Sequence, residues 1–299
     1  MSEIVLKVVN LSKSYKRSAL QSRVDALKDV SFEVSAGQIT GFLGANGAGK
    51  TTSIKCILEL ARADRGEVFY FGEKGLSSEA RAKIGFLPER PYFYEYLTGR
   101  EFLRFYGQLA NMKPNDLKQQ SDILLEKVGL SHAADRPLRG YSKGMLQRIG
   151  IAQALIHRPQ LIILDEPVTG LDPDGRFEIR EIILAAAKAG TAVFFSSHLL
   201  PDAESLCDRL VILKKGNLIY QGATADLLQK HTSGYEISYQ SQAGAKTDRV
   251  KDEKELQLFI DQLRVSKNVI TEIKPNRSSL EEVFMEIAFD KKKTSEVHP

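Results

Sequence analysis

The chain has 299 residues, enough for one large domain with an appendage or for two domains, and its 42% hydrophobic content can fill a core. A net charge of +4 is too small an excess to argue for nucleic acid, and it would equally suit an anionic membrane face. Two cysteines far apart in sequence, Cys56 and Cys207, supply neither a disulfide framework nor a metal spacing, which points to a reducing cytoplasm.

The chain begins "MSEIVLKVVN", without the basic start and apolar core of a signal peptide. No run reaches the roughly 18 apolar residues of a membrane span. The expectation is a soluble chain whose membrane role would come through a partner. "IVLKVVNLSKSY" and "LKDVSFEV" read as strands, and "GQITGFLGANGAGKTTSIKCILEL" runs from apolar strand through glycine-rich loop to helix. "GEVFYFG" and "IGFLP" are further short strands. From Thr98 the spacing turns helical, with Thr98 and Glu101 as a capping box, and "LKQQSDILLEKVGL" repeats it.

"RGYSKGMLQR" then gathers glycines, a serine and cations around a helix start, whose free N–H groups suit an anion. "LIILDEP" and "TAVFFSSH" are buried strands flanking the helix "PDGRFEIREIILAAAKAG". "RLVILKKGNLIYQG" reads as a hairpin with Lys215, Gly216 and Asn217 in its turn. Strands with continuous apolar runs alternating with helices predict an α/β fold, a parallel sheet covered by helices. After about Lys230 the character changes. "GYEISYQ" is a strand, "SQAGAKTD" a loop, and a helix, the strand "NVITEIK" and the helix "SSLEEVFMEIAF" follow, a small α+β appendage. Residues 291–299 are expected to be a disordered tail.

Gly44-Ala45-Asn46-Gly47-Ala48-Gly49-Lys50-Thr51 fits G-x-x-x-x-G-K-[ST], after a strand and before a helix. Glycines let the backbone wrap a diphosphate with several N–H groups pointing inward. Lys50 places a point charge between the outer phosphates, and the Thr51 hydroxyl is a hard oxygen ligand for Mg2+. The reading is a nucleoside triphosphate site.

Asp165, ending an apolar strand, is the candidate for holding the magnesium, and Glu166 for orienting and deprotonating the attacking water. The alternative is a strand-terminal turn with two solvated acids. His198 ends the next buried strand. It is either a packing or capping residue or, at the edge of a parallel sheet where ligands bind, a hydrogen-bond partner of the outer phosphate and the water.

These motifs in this order resemble the ATP-binding subunit of ABC transporters, over residues 4 to 230. The resemblance implies an ABC ATPase core at 1–230: a P-loop NTPase with a mixed sheet, an antiparallel β subdomain and a helical subdomain at about 90–160. A small α+β domain follows at 231–290. It implies ATP and Mg2+ as ligands and a head-to-tail dimer with a second copy or a homologous subunit. Ser142 and Gly144, within Tyr141-Ser142-Lys143-Gly144-Met145, would then close over the partner's ATP. This stretch departs from the usual Leu-Ser-Gly-Gly-Gln at Tyr141, Lys143 and Met145, and "YSKGM" looks like the variant of type-2 exporters. Lys143 fits helical N-terminal geometry and adds favourable charge near phosphate.

By position, Tyr15 matches the aromatic that stacks on adenine, its alternative being strand-edge packing. Thr52 follows the loop threonine at the nucleotide, and Asp172 matches the loop that crosses the dimer interface. Glu89 stands where the family usually has a glutamine reaching magnesium. As an acid it would repel a phosphate charge about 4 Å away by roughly 4 kcal/mol at an effective dielectric of 20, so a metal must lie between them. The helices after Thr98 would receive a polytopic membrane permease, with "RPYFYEYL" either lining that groove or packing the core.

The implied function is an ATPase powering an exporter, peripheral on the cytoplasmic face of the inner membrane, with no nucleic acid partner. The rival is a non-transport ABC ATPase acting on ribosomes or DNA, or driving a membrane-bound mechanical complex. A single cassette and the lack of a long heptad run speak against the ribosomal and DNA members.

Overall fold

The computed structural model describes residues 3–16, 23–230, 232–241, 244–277 and 279–289. The tail expected at 291–299 lies outside them. The chain divides into two compact units, Met1–Gln221 and Gly222–Pro299.

The first unit holds β1 (Ile4–Lys16), β2 (Arg23–Ser35), β3 (Ile39–Leu43), α1 (Lys50–Ile57), β4 (Arg65–Tyr70), β5 (Glu73–Lys74), α2 (Ser78–Arg81) and β6 (Ile84–Leu87). It continues with α3 (Gly99–Leu109), α4 (Pro114–Lys127), α5 (Lys143–Leu155), β7 (Leu161–Asp165), α6 (Pro173–Lys188), β8 (Ala192–Ser197), α7 (Leu200–Leu206), β9 (Arg209–Lys214) and β10 (Asn217–Ala223), which crosses the division.

Two sheets build the unit. An antiparallel sheet runs β2-β1-β4-β5, and a larger one runs β10-β9-β3-β8-β7-β6. In the larger sheet β9, β3, β8, β7 and β6 pair in parallel. β3, β7 and β8 are buried at every residue. Their continuous apolar runs are therefore what a sheet covered on both faces demands. The sheets meet over a core in which Phe32, Phe42 and Phe194 pack with ring centroids 5.1–5.4 Å apart. The expected α/β class with a mixed sheet and an antiparallel sheet is what the fold shows.

The capping box expected at α3 is present in full, Thr98 accepting from the Glu101 N–H while Glu101 accepts from Thr98. The β9–β10 turn is two residues, Lys215 (φ 49°) and Gly216 (φ 81°), both left-handed as a tight hairpin turn needs. Asn217, expected in the turn, starts β10 instead. α3, α4 and α5 pack on one another. The short α2 and α7 carry too few turns to show a helical period in the sequence and were not expected.

The second unit contains α8 (Thr224–Lys230), β11 (Thr232–Ser241), β12 (Gly244–Val250), α9 (Glu253–Val265), β13 (Val269–Arg277) and α10 (Leu280–Phe289). Here two expectations change. α8, placed with the first unit by a boundary at 230, packs against α10 in the second. "SQAGAKTD", expected as a loop, contributes to β12, which pairs antiparallel with β11 from Tyr235↔Val250 to Ser241↔Gly244. β12 is an edge strand with polar, exposed side chains, so it has no apolar alternation to betray it. Backbone pairing holds it, together with the Tyr239 hydroxyl donating to Asp248 at 2.8 Å. One face of β11 buries Ile237 and Tyr239 against Leu256, Ile260 and Leu263 of α9.

Candidate nucleotide-binding and hydrolysis site

Register brings the candidate residues together. Leu43, which ends β3, is level with Ser197 at the end of β8. Asp165, which ends β7, is level with Ser196, and Leu87 of β6 is level with Leu164. Four neighbouring parallel strands therefore deliver the glycine loop, His198, the Asp165–Glu166 pair and Glu89 to one sheet edge, where α/β folds bind ligands.

The loop between β3 and α1 is fixed from behind. Gly216 donates its N–H to the Ala48 carbonyl at 2.9 Å, tying the loop to the β9–β10 turn. Two glycines are required by space as well as angle. A Cβ on Gly44 (φ 158°) would lie 2.6 Å from the Leu213 carbonyl oxygen, and one on Gly49 (φ 112°) 2.5 Å from that of Ala26. Gly47 (φ 79°) faces open space. The loop encloses a cavity of about 370 Å³ lined by Ala45, Asn46, Gly47, Gly49, Lys50, Thr51 and Thr52 with Ala26, Glu89, Glu166, Thr169 and His198.

Lys50 and Glu166 are buried and paired, Nζ to Oε1 3.2 Å, and Nζ also donates to the Gly44 carbonyl at 2.7 Å. The other Glu166 oxygen, Oε2, faces His198 Nδ1 at 2.8 Å and accepts from the Thr169 hydroxyl at 2.9 Å. Glu166 is left-handed (φ 52°), a conformation that costs a residue with a Cβ about 1–2 kcal/mol. Its N–H is held at 3.0 Å by the Ser196 hydroxyl, which donates in turn to Asp165 Oδ1 at 2.6 Å. Thr51 Oγ1 stands 3.5 Å from the same Asp165 oxygen. Burial pushes the Asp165 carboxyl above the usual range, against the pull of its Ser196 and Thr51 hydrogen bonds. Glu89 is half-exposed at the cavity rim, its Oε1 3.9 Å from Arg90 Nε.

Tyr15, Ser142, Gly144 and Asp172 do not line this cavity. Tyr15 is exposed on β1, with the Lys13 ammonium 5.2 Å from its ring centre. Ser142 caps α5 by accepting from the Met145 N–H at 3.3 Å. Gly144 borders open space, so no contact among the described residues requires a glycine there. Tyr141 is buried, its hydroxyl donating to the Ala133 carbonyl at 2.7 Å. Asp172 caps α6, accepting from the Gly175 N–H at 2.9 Å. Thr169 and Ser196 were not singled out from sequence; their side chains reach the acids only through the fold.

The donor set fits a nucleotide with a hard divalent cation. A glycine cradle, a buried ammonium and a helix start face one cavity, and a hydroxyl and a carboxylate lie side by side beside it. A family profile described as "ABC transporter" matches residues 27–169. The chain is 39% identical over 234 residues to the bacitracin transport ATP-binding protein BcrA of Bacillus licheniformis, covering 77% of this chain and 73% of that one. The chain belongs to the ABC transporter ATP-binding family.

An uncharacterized ABC transporter ATP-binding protein of Synechocystis is 41% identical over 236 residues, which span 78% of this chain and 66% of that protein. A solved structure titled as the ATP binding subunit of an ABC transporter superposes with a TM-score of 0.67 at 31% identity, covering 76% of this chain and 92% of that one. Membership of this family implies an ATPase that binds ATP. Among the described residues, no helix is long and apolar enough to cross a membrane.

Proposed function

We propose that the chain is the ATP-hydrolysing subunit of a membrane exporter. It would work as a head-to-tail dimer with a second copy or a homologous subunit, docked on a polytopic permease at the cytoplasmic face of the inner membrane. The observation that carries the catalytic part is the Glu166 carboxylate, buried at the cavity wall between Lys50 and His198. The "YSKGM" helix start, the α+β second unit and the likeness to a bacitracin transport protein support the exporter reading.

In this reading the loop from Gly44 to Thr52 wraps the phosphates with its backbone N–H groups, and Lys50 leaves Glu166 to meet them. Thr51 and Asp165, with Glu89 at the rim, would hold a magnesium ion, which would supply positive charge to offset that of the phosphates. Glu166 takes a proton from the attacking water, and His198 orients that water and the outer phosphate. Tyr15 stacks on the base. Gly144, where a side chain would meet nothing else among the described residues, lets the partner's phosphates come close, Ser142 presents the helix start, and Asp172 crosses to the partner's loop.

The test is Glu166→Gln, an isosteric change that keeps the fold and removes the base. The expected outcome is retained ATP binding, loss of steady-state turnover and an ATP-dependent dimer on size exclusion. Normal turnover would refute the assignment. Recovery of a polytopic membrane protein with the full chain from solubilised membranes tests the transport role.

A further inference from the structure

The Glu166 carboxylate has three side-chain partners among the described residues, and the proposed reaction calls two of them away. Lys50 holds Oε1, and His198 and Thr169 share Oε2. Once Lys50 turns to the phosphates and His198 to the outer phosphate and water, the Thr169 hydroxyl is the side-chain donor still facing Glu166. It lines the cavity beside Glu166 and is fixed by a tight turn in which the Thr169 N–H reaches the Glu166 carbonyl at 3.3 Å.

We infer that Thr169 is a positioning residue for hydrolysis, pinning Oε2 so that Oε1, the oxygen vacated by Lys50, is presented to the water. The inference rests on the reading of Glu166 as the base. As the water oxygen bonds to the outer phosphorus, its O–H bond breaks and the proton passes to Oε1. The bond from that phosphorus to the bridging oxygen breaks, and ADP leaves with the electron pair. A carboxylate held by one oxygen keeps its second oxygen aimed; one held by neither rotates about its terminal torsion, which is broad.

A hydroxyl bonding three residues back also serves simply to shape a turn. The two roles separate kinetically. Thr169→Val keeps the branched shape and deletes the donor. Positioning predicts a kcat lowered by about 10- to 100-fold, the range expected for one charge-assisted hydrogen bond. KM and the affinity for a fluorescent ATP analogue stay within twofold, the melting curve is unchanged, and Thr169→Ser restores most of the rate. In a Glu166→Gln background, Thr169→Val adds no further loss.

A Thr169→Val enzyme with parental kcat, beside a Glu166→Gln enzyme that is inactive, would overturn the positioning role and leave the base assignment standing. A lowered melting temperature with KM and kcat changing together would reduce Thr169 to turn structure. Full turnover in Glu166→Gln would remove the base reading, and this inference with it.

Discussion

Ser196 is buried completely and joins the two acids, donating to Asp165 Oδ1 at 2.6 Å and accepting the Glu166 N–H at 3.0 Å. Ser196→Ala removes both bonds at little change in volume. The first is a charge-assisted O–H···O⁻ contact, whose net contribution is about 2 kcal/mol. The second leaves a buried N–H without its acceptor at a left-handed residue, costing about 1–2 kcal/mol more. Relief from burying the serine hydroxyl offsets part of this, so the net loss is about 3 kcal/mol. Hydrogen exchange followed by mass spectrometry on peptides covering β7 reports it locally, as opening roughly 150-fold more frequent. Ser197→Ala is the control. Ser197 is equally buried, but among the described residues its hydroxyl accepts only the neutral Leu199 N–H at 2.9 Å with a long contact to the Leu199 carbonyl, so about 1 kcal/mol is expected. Equal exchange in the two variants would refute the claim that Ser196 braces the acid pair.

Two further outcomes follow from the first unit. Gly49→Ala should abolish binding of an ATP analogue and lower the melting temperature. It places a Cβ 2.5 Å from the Ala26 carbonyl in addition to the left-handed strain, whereas Gly47→Ala bears the strain alone and should melt closer to the parent. Hydrogen bonds from the Ser14 hydroxyl and N–H, with help from Lys13, hold the Asp64 carboxyl down to about 2. A depressed carboxylate contributes stability above its unfolded value near 4 and loses it as pH falls towards 2. An NMR titration should place the Asp64 midpoint near 2, and Asp64→Asn should flatten the acid limb of stability between those values.

The glycine loop was legible because its residues are contiguous and its fixed positions are set by backbone geometry or phosphate charge. Lys50 and Thr51 declared themselves as the end of that loop, and Asp165 through an apolar strand that stops at an acid. The capping box at Thr98 and the turn at Lys215–Gly216 were readable for the same local reason. The contacts around the acids were not. Ser196 reaches Asp165 across 31 residues of sequence, and only the β7–β8 register aligns them. The left-handed backbone at Glu166 leaves no mark on the residue type, and Thr169 looks like any turn threonine until its hydroxyl is seen against Oε2. In the second unit β12 escaped because an exposed edge strand has no pattern of burial to read.

The pairing of Lys50 with Glu166 makes the protein its own competitor. In the proposed reaction the carboxylate occupies the ammonium that a phosphate would take, so nucleotide affinity would be the difference between two ion pairs and not the strength of one. Binding would then be weakened by the residue proposed to carry out the reaction. In that reading the same event that admits the nucleotide would also uncover the proposed base, so Glu166 would be unmasked only when there is something to hydrolyse.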